Sequence, residues 1–174
     1  YSGSRVLSIA RLSVQKGLDL ALPAVASLRE KGLEFRWYII GVGPEEAALQ
    51  EQARSLGIEQ DVCFLGEQAN PYPFLRACDV YLQPSRFEGK SIAVDEAMVL
   101  CKPILLTDFS TAADQVTSGE NGLIVPMTPE GIAEGLEKLL TDGELRQRFH
   151  DALEAEDYTN ENEIEKVYSL IGSE

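Results

Sequence analysis

The sequence has no long apolar run and no excess of basic residues, and these two absences exclude several classes of protein. No apolar stretch approaches the roughly 18 residues that a membrane-spanning helix requires, so no segment is predicted to cross a bilayer. Lysine and arginine together number 15 against 29 aspartate and glutamate residues, and the net charge at pH 7 is −14. A surface this acidic disfavours general binding to nucleic acid or to anionic lipid.

Cysteine and histidine are also scarce, and their scarcity limits the chemistry available. The three cysteines, Cys63, Cys78 and Cys101, are odd in number and lie in apolar contexts. They are predicted to be buried hydrophobic side chains in a reducing compartment rather than a disulfide set or a metal site. Because His150 is the one histidine of the sequence, a histidine-based zinc site is disfavoured, and no metal site is predicted.

The rest of the composition is that of an ordinary folded domain. The chain has 174 residues, of which 44% are hydrophobic and 25% charged, and this suits one domain with a sizeable core. We interpret residues 1–4 as a linker or a cloning remnant and the chain as a fragment of a longer protein. Residues 5–157 are expected to form the domain, and residues 158–174 a C-terminal helix that reaches toward a partner domain.

Short apolar runs alternate with amphipathic helical patterns along the chain. Pro23 falls inside the first helical pattern and is expected to kink that helix or shift its start. Strands are predicted over residues 5–10, 35–40, 62–65, 80–83, 103–107 and 122–125. Helices are predicted over residues 17–31, 45–56, 71–78, 91–100, 110–118, 129–140, 143–153 and 160–171.

This alternation predicts an α/β fold. Six apolar strands separated by helices favour a Rossmann-like parallel sheet of about six strands with helices on both faces. Ligands of such sheets bind beyond the carboxyl ends of the strands, near the point where the strand order reverses. Functional residues are therefore sought in the loops that follow the strands.

The segment over residues 85–97 carries the most chemical information. It follows the fourth predicted strand and leads into a helix, so it is interpreted as strand, tight loop and helix start. Glu88 lies in the loop, and Glu96 lies inside the helix after seven intervening residues. Backbone N–H groups at a helix N-terminus bind anions, and carboxylates accept sugar hydroxyls. The segment therefore predicts a nucleotide-sugar site.

Two cations follow the first predicted strand. Arg11 and Lys16 lie at the carboxyl end of that strand in an otherwise acidic chain. Arginine binds phosphate with two parallel hydrogen bonds, and lysine adds a point charge, so the pair suits a diphosphate. On these residues alone, the alternative that both side chains are solvated cations of a loop is favoured, and the loop with Glu88 and Glu96 shifts the interpretation to a phosphate site.

Two glycine-containing segments resemble phosphate-binding loops but lack a required residue. The Gly-x-Gly at residues 41–43 needs a third glycine where the chain has Glu46, so it is interpreted as a turn that brings the backbone close to the site. Gly89, Lys90 and Ser91 mimic the end of a Walker A loop, but Pro84 replaces its first glycine. A P-loop nucleotidase is therefore disfavoured.

Taken in order, these segments resemble the C-terminal, nucleotide-sugar-binding half of a glycosyltransferase family 4 enzyme of the GT-B fold. The resemblance covers residues 5–170. Its marks are Arg-Leu-x-x-x-Lys-Gly at 11–17, Gly-x-Gly-Pro at 41–44, Phe-Leu-Gly at 64–66, Pro-Ser-x-x-Glu-Gly at 84–89, Glu-Ala-Met at 96–98, Lys-Pro at 102–103 and Asn-Gly-Leu-Ile-Val at 121–125.

The resemblance implies a role for each candidate residue. Arg11 and Lys16 would bind the diphosphate and offset the charge that develops on it as it leaves. Glu88 would face the donor sugar, and Glu96 would bind the ribose hydroxyls. Binding contacts are further expected from Gly89, Lys90, Ser91 and Ile92 at the sugar or phosphate, and from Gln68 and Asn70 near the base.

The implied reaction is retaining transfer of a sugar from a UDP- or GDP-sugar to a glycan or lipid-linked acceptor, in polysaccharide synthesis, with no cofactor and no essential metal. Many family members carry Gly-Phe-Gly where this chain has Gly89, Lys90 and Ser91, and the segment 110–114 lacks a common Gly-Gly. Lys90 therefore adds a cation that could meet a phosphate or a charged sugar. These departures concern the donor sugar rather than the class of enzyme.

The acceptor site of a GT-B enzyme lies on an N-terminal domain across a cleft, and that domain is missing from this sequence. The chain alone is therefore expected to bind donor weakly and to transfer little. A cytoplasmic protein is expected, with any contact to the inner membrane made by the missing half. Two alternatives stay open: a related GT-B enzyme such as a sugar-nucleotide epimerase or a sucrose-type synthase, and an α/β domain that only binds.

Overall fold

A computed structural model of the chain describes residues 1–156, and these form a three-layer α/β fold. Two 3₁₀ turns, Val14–Lys16 and Ala112–Asp114, accompany the regular elements. The strands are β1 (Ser4–Ile9), β2 (Phe35–Ile40), β3 (Val62–Phe64), β4 (Val80–Gln83), β5 (Ile104–Thr107) and β6 (Leu123–Val125). The helices are α1 (Leu18–Glu30), α2 (Glu46–Ser55), α3 (Tyr72–Ala77), α4 (Ile92–Val99), α5 (Pro129–Thr141) and α6 (Gly143–Ala155).

The six strands form one parallel sheet in the order β3-β2-β1-β4-β5-β6. Val6 pairs with Val80 and Leu7 with Tyr81, so β1 and β4 are neighbours at the centre although two strands separate them in sequence. The strand order reverses between these two strands, and this is the switch point at which ligands bind in doubly wound sheets. The predicted Rossmann-like α/β class is confirmed.

Side chains of successive strand residues point to opposite faces of the sheet, and each face carries its own hydrophobic core. Val6 and Trp37 contribute to the core beneath α1, α2 and α5. Leu7 and Tyr81 contribute to the core beneath α3 and α4. Both faces are covered by helices, so the central strands are apolar on both sides, as buried parallel strands are.

Helix α1 continues through Pro23 because another side chain replaces the hydrogen bond that proline cannot donate. Pro23 lacks the N–H that would bond the carbonyl of Asp19. The side-chain amide of Gln52, on α2, donates to that carbonyl at 3.0 Å. Helix α1 thus includes Pro23 in its interior and begins at Leu18, one residue later than predicted, after Gly17 in the left-handed region.

The helix predicted over residues 110–118 is wrong, because this segment contains a 3₁₀ turn at Ala112–Asp114 instead. The side chains of the segment bond to the loop after β4 rather than to a helix of their own. The Thr111 hydroxyl donates to the carbonyls of Glu88 and Gly89, both at 2.8 Å. These bonds tie the segment to the loop after β4 and compete with helix formation.

Three further expectations concern the cysteines, the bilayer and the C-terminus. All three cysteines are free, but Cys78 alone among them is buried, so the predicted burial of Cys63 and Cys101 is wrong. Burial raises the pKa of the Cys78 thiol to about 12.

No helix within residues 1–156 is long and apolar enough to cross a membrane. The helices predicted over 158–174 and 160–171 lie outside the described residues.

Candidate functional site

The loops that follow β1 and β4 lie against each other at the switch point. Residues 10–17 follow β1, and residues 84–91 follow β4. The Arg86 amide donates to the Gln15 carbonyl at 2.8 Å, and the Gln15 side-chain amide donates to the Phe87 carbonyl at 3.0 Å. These bonds join the two loops into one wall of the crevice where ligands of open parallel sheets bind.

Two glycines permit this close approach of backbone to backbone. Gly17 has φ +63°, and a Cβ there would lie 1.9 Å from the Pro84 carbonyl oxygen. Gly41 has φ +133°, and its Cβ would lie 2.0 Å from the Ala10 carbonyl oxygen. Any other residue would be strained and would push the loops apart. The structure thus places the glycine turn at residues 41–44 against the loop after β1, as the sequence predicted.

Lys16 and Glu88 form an ion pair inside the crevice. The Lys16 Nζ lies 2.5 Å from Glu88 Oε1, and the Ser85 hydroxyl donates to the same oxygen at 2.7 Å. The Thr107 hydroxyl donates to the Ser85 carbonyl at 2.5 Å and so fixes the loop from β5. Glu88 is only 6% exposed, and a carboxylate this buried requires a compensating cation. Two of the predicted site residues are therefore in direct contact.

A second ion pair, not singled out in the sequence, braces the same loops. The guanidinium of Arg86 donates two hydrogen bonds of 2.6 Å to the carboxylate of Asp19, and another of 2.7 Å to the Val14 carbonyl. These hydrogen bonds and the charge of Arg86 lower the pKa of Asp19 below its ordinary value. Opposite charges in two segments expected to meet at the switch point were the signal that could have found this pair.

Arg11 lies in the same loop as Lys16, and its charge is unpaired within residues 1–156. Within residues 1–156 its side chain forms no hydrogen bond or ion pair. It is exposed and lines a cavity of about 560 Å³ together with Gly41, Glu67 and Gln68. An exposed, unpaired guanidinium that lines a cavity suits an anionic ligand.

Buried side chains hold the N-terminus of α4 in place. Gln115 accepts a hydrogen bond from the Ser91 amide at 3.0 Å and donates one to the Ser91 carbonyl at 2.9 Å. The Ser91 hydroxyl donates to the side-chain carbonyl of Gln83 at 3.0 Å, so it points into the protein. No side chain of the described residues caps the first turn of α4, and its leading backbone N–H groups remain available to a ligand.

Glu96 and Lys90 line a second cavity, of about 520 Å³, along α4. The hydroxyl of Tyr72 donates to Glu96 Oε1 at 2.8 Å across this cavity. The Lys90 Nζ lies 3.2 Å from a carboxylate oxygen of Asp95, and its side chain is 75% exposed. Lys90 is therefore paired with the helix that follows it and not with Glu88.

The two residues predicted to lie near a base have different surroundings. Gln68 lines the cavity of Arg11, and its amide donates to the Leu65 carbonyl at 2.7 Å. Asn70 lines neither that cavity nor the cavity of Glu96. Its side-chain carbonyl instead accepts a hydrogen bond from the Tyr72 amide at 3.2 Å, at the start of α3.

A cluster of possible metal ligands lies away from the crevice. His150, Asp151 and Glu154 on α6 bring one ligand atom each within 4.8 Å of one another. Asp151 accepts a hydrogen bond from Gln147, and His150 Nδ1 lies 3.0 Å from the Cys101 carbonyl oxygen. Two of the three side chains are exposed. The sequence disfavours a zinc site based on this histidine. The three side chains lie on α6 and are not among the residues of the crevice.

Comparison with known sequences points to one family. Residues 3–155 match the family described as Glycosyl transferases group 1. The putative colanic acid biosynthesis glycosyltransferase WcaL of Salmonella typhimurium is 32% identical over 158 residues, which are 86% of this chain and 38% of that protein. The chain spans less than half the length of the curated relatives it matches.

Comparison with solved structures gives the same fold. Anabaena Alr3699/HepE in complex with UDP superimposes with a TM-score of 0.87 at 22% identity, over 99% of this chain and 49% of that one. The C-terminal domain of a group 1 glycosyl transferase family protein, LpcC, from Francisella tularensis superimposes with a TM-score of 0.77 at 23% identity. That match covers 87% of this chain and 83% of the Francisella chain. At such identities the likeness shows the fold alone.

Proposed function

This chain belongs to the group 1 glycosyl transferases, and we propose that it is the C-terminal, donor-binding half of a retaining enzyme of glycosyltransferase family 4. The donor is a nucleoside-diphosphate sugar, and the acceptor is a glycan or a lipid-linked sugar. The single observation that carries the proposal is the crevice at the switch point. It combines an arginine that is unpaired within the described residues, a lysine–glutamate pair whose carboxylate is buried, and a helix N-terminus without a side-chain cap.

The diphosphate lies between Arg11, Lys16 and the first turn of α4. Arg11 is unpaired within the described residues, and the N–H groups of α4 have no side-chain cap, so both offer donors to phosphate oxygens. Lys16, from the same loop as Arg11, adds a second positive charge. Charge that develops on the leaving diphosphate is stabilised electrostatically by these groups, without proton transfer from the protein.

The two carboxylates bind the sugar groups at either end of the diphosphate. Glu88 faces the donor sugar, and Lys16 holds its charge in place at 2.5 Å. Glu96, on the second turn of α4, accepts the ribose hydroxyls from the cavity that it lines. Gly89, Lys90 and Ile92 contribute backbone contacts to sugar or phosphate. Gln68 contacts the base.

The residues at the carboxyl edge of the sheet also suit a partner domain. Val14, Phe87 and Ile92 are large apolar side chains on the loops of this edge, and they are 59%, 60% and 73% exposed. A second domain across the crevice would cover them, and the acceptor site belongs to that domain. The short span of this chain relative to its curated relatives, and the Francisella C-terminal domain of similar fold, support this division.

The names of the relatives guide the choice of substrates. HepE is solved in complex with UDP, and WcaL is named for colanic acid biosynthesis. We therefore propose a UDP-sugar as the first donor to test, with GDP-sugars second, and a polysaccharide or its lipid-linked precursor as the acceptor.

Calorimetric titration of the 174-residue chain with UDP, GDP, ADP and ATP, with and without magnesium, tests the donor site. One nucleoside diphosphate is expected to bind without metal. Arg11→Ala is expected to weaken this binding about 10- to 100-fold, because a charge-assisted hydrogen-bonding group is lost. Arg148→Ala, an exposed arginine on α6, is the matched control and should leave the affinity unchanged.

Glu96→Ala separates the proposal from its alternatives. It should weaken binding of the same nucleotide, whereas Glu134→Ala on α5 should not. Affinity that is unchanged in both Arg11→Ala and Glu96→Ala would contradict the assignment of this crevice. Magnesium-dependent binding of ATP would favour a nucleotidase, and loss of all binding in the longer protein would favour a domain without a donor site.

A further inference from the structure

Tyr72 is an exposed aromatic residue whose hydroxyl is nevertheless held in one place. Its side chain is 50% exposed, and its hydroxyl donates to Glu96 Oε1 at 2.8 Å. The donor and the acceptor lie 24 residues apart in sequence, on different helices. The hydroxyl of an exposed, freely rotating tyrosine bonds to water. A lasting bond to Glu96 therefore requires that the backbone around Tyr72 is held rigidly.

That support comes from the first turn of α3. Pro71 and Pro73 flank Tyr72 and fix the backbone φ angle on both sides of it. The side-chain carbonyl of Asn70 accepts the Tyr72 backbone N–H at 3.2 Å. The backbone at Tyr72 is thus constrained before any ligand arrives, and the bond of its hydroxyl to Glu96 orients the ring, which lowers the cost of ordering it on binding.

Packing of the core does not explain Tyr72. Leu75, in the same helix, is fully buried in the core beneath α3 and α4, and Phe74 packs against that core. Tyr72 belongs to neither hydrophobic cluster of the described residues. It lines the cavity of about 520 Å³ together with Glu96 and the exposed Ile92.

We propose that Tyr72 is a positioning residue for ribose recognition: its hydroxyl fixes the carboxylate of Glu96 so that both carboxylate oxygens accept the two vicinal hydroxyls of the donor nucleotide. The inference rests on the proposed function, because it assigns Glu96 to the ribose. A carboxylate oxygen has two acceptor sites, so Oε1 keeps one of them free while it bonds to Tyr72. Without the tyrosine, the Glu96 side chain samples several rotamers and loses part of the bidentate contact.

The ionisation of the pair is consistent with this arrangement. The hydrogen bond to Glu96 and the charge of that carboxylate raise the pKa of Tyr72 above its ordinary value. The phenol therefore stays protonated, and remains a donor, throughout the neutral range. Ultraviolet titration of the phenols should show one tyrosine whose pKa falls when Glu96 is changed to Gln, and that tyrosine should be missing from the Tyr72→Phe variant.

The decisive test compares UDP and GDP with their 2′-deoxy forms by calorimetry on the 174-residue chain. The unsubstituted chain should bind each ribonucleotide more tightly than its 2′-deoxy form, and Glu96→Gln should abolish this difference in affinity. Tyr72→Phe should weaken the ribonucleotide about three- to tenfold and the deoxy form much less, because one hydrogen bond to a charged group is lost. Tyr38→Phe, on β2, is the matched control and should leave both affinities unchanged.

The outcomes separate the inference from the proposed function. If Glu96→Gln abolishes ribose preference while Tyr72→Phe keeps the full preference, the role of Tyr72 is overturned and the donor site stands. If Tyr72→Phe weakens ribonucleotide and deoxynucleotide equally, Tyr72 has a structural role alone and the inference is again overturned. If the unchanged chain shows no ribose preference, the assignment of Glu96 fails, and the role of Tyr72 fails with it.

Discussion

Trp37 and Ser8 lie side by side in the centre of the sheet with their polar atoms paired. Trp37 and Ser8 are 0% and 1% exposed. The indole N–H of Trp37 donates to the Ser8 hydroxyl at 3.0 Å, and that hydroxyl donates to the Leu82 carbonyl at 2.6 Å. This buried serine is polar because its hydroxyl satisfies the indole N–H of Trp37, the largest aromatic side chain of the core.

Ser8→Ala tests this satisfaction of a buried donor. The variant leaves the indole N–H of Trp37 without a partner in the core, so the free energy of unfolding should fall by about 1–3 kcal/mol. Urea denaturation followed by tryptophan fluorescence measures the change. Ser55→Ala, at the exposed end of α2, is the control and should change the unfolding free energy by less than about 0.5 kcal/mol. Equal effects of the two variants would show that the buried bond contributes nothing specific.

The contacts of Lys90 could not be predicted from its position in the sequence. The sequence predicted a cation that could meet a phosphate or a charged sugar, and this stays a prediction. In the structure the Lys90 Nζ lies 3.2 Å from Asp95, whose carboxylate also accepts a 2.7 Å bond from Gln115. The sequence pattern predicts a lysine in the loop before α4. The rotamer of Lys90 depends on Asp95, whose carboxylate is bonded to Gln115 from another loop, and no local pattern reports that contact.

At the scale of elements, an ion pair as well as backbone hydrogen bonds holds the loops after β1 and β4 together. Arg86, after β4, bonds to Asp19 at the start of α1 with two bonds of 2.6 Å. The aspartate lies in the first turn of α1, where its negative charge also interacts favourably with the helix dipole. This ion pair therefore links the position of α1 to the loop that carries Glu88.

Asp19→Asn should weaken this brace in a pH-dependent manner. Because the folded-state pKa of Asp19 lies below its unfolded value of 3.8, the ionised carboxylate stabilises the fold above that pH. The variant should lower the free energy of unfolding by about 0.5–1 kcal/mol at neutral pH, a small value because the pair is partly exposed.

The difference between Asp19→Asn and the unchanged chain should shrink as the pH falls through the folded-state pKa of Asp19. Urea denaturation at neutral pH and at a series of pH values below the unfolded value of 3.8 measures this trend. Asp151→Asn on α6 is the control for removal of one negative charge. A difference that is the same at all of these pH values would contradict the ionic origin of the effect.

The elements were predictable to different extents for physical reasons. Apolar runs bounded by turn residues located all six strands within one residue, because burial on both faces demands such runs. The segment 110–118 is a misassigned helix because Thr111 and Gln115 bond to another loop, and no local pattern reports such bonds. The contact between Lys16 and Glu88 spans 72 residues. It follows from the sequence only once the strand order is known.

At the scale of the whole molecule, the polar and charged side chains of the crevice lie at one edge of the sheet. Arg11 and Lys16 follow β1, and Glu88 and Glu96 follow β4, so the switch point brings the four residues of the proposed site to the two segments after these neighbouring strands. In the proposed function, this chain is one half of a two-domain enzyme. Productive transfer requires a second domain that orients an acceptor against the donor sugar.

Activity should therefore depend on the length of the protein. Under the proposed function, the 174-residue chain is expected to bind a nucleoside diphosphate and to transfer no sugar to an acceptor, and a protein that also carries the proposed acceptor domain is expected to transfer it. Radiolabelled donor assays with both proteins at equal concentration measure this difference. Equal transfer by the short chain would contradict the placement of the acceptor site on a second domain.

The most direct test of the donor-site assignment is to map the amides that UDP perturbs in a two-dimensional NMR spectrum of the 15N-labelled chain. The account predicts perturbations confined to residues 11–17, 41–44, 67–72 and 88–96, which surround the switch point. These perturbations should be lost in Arg11→Ala. Saturable perturbations centred elsewhere, such as on α5 and α6, would contradict the assignment of this crevice as the donor site.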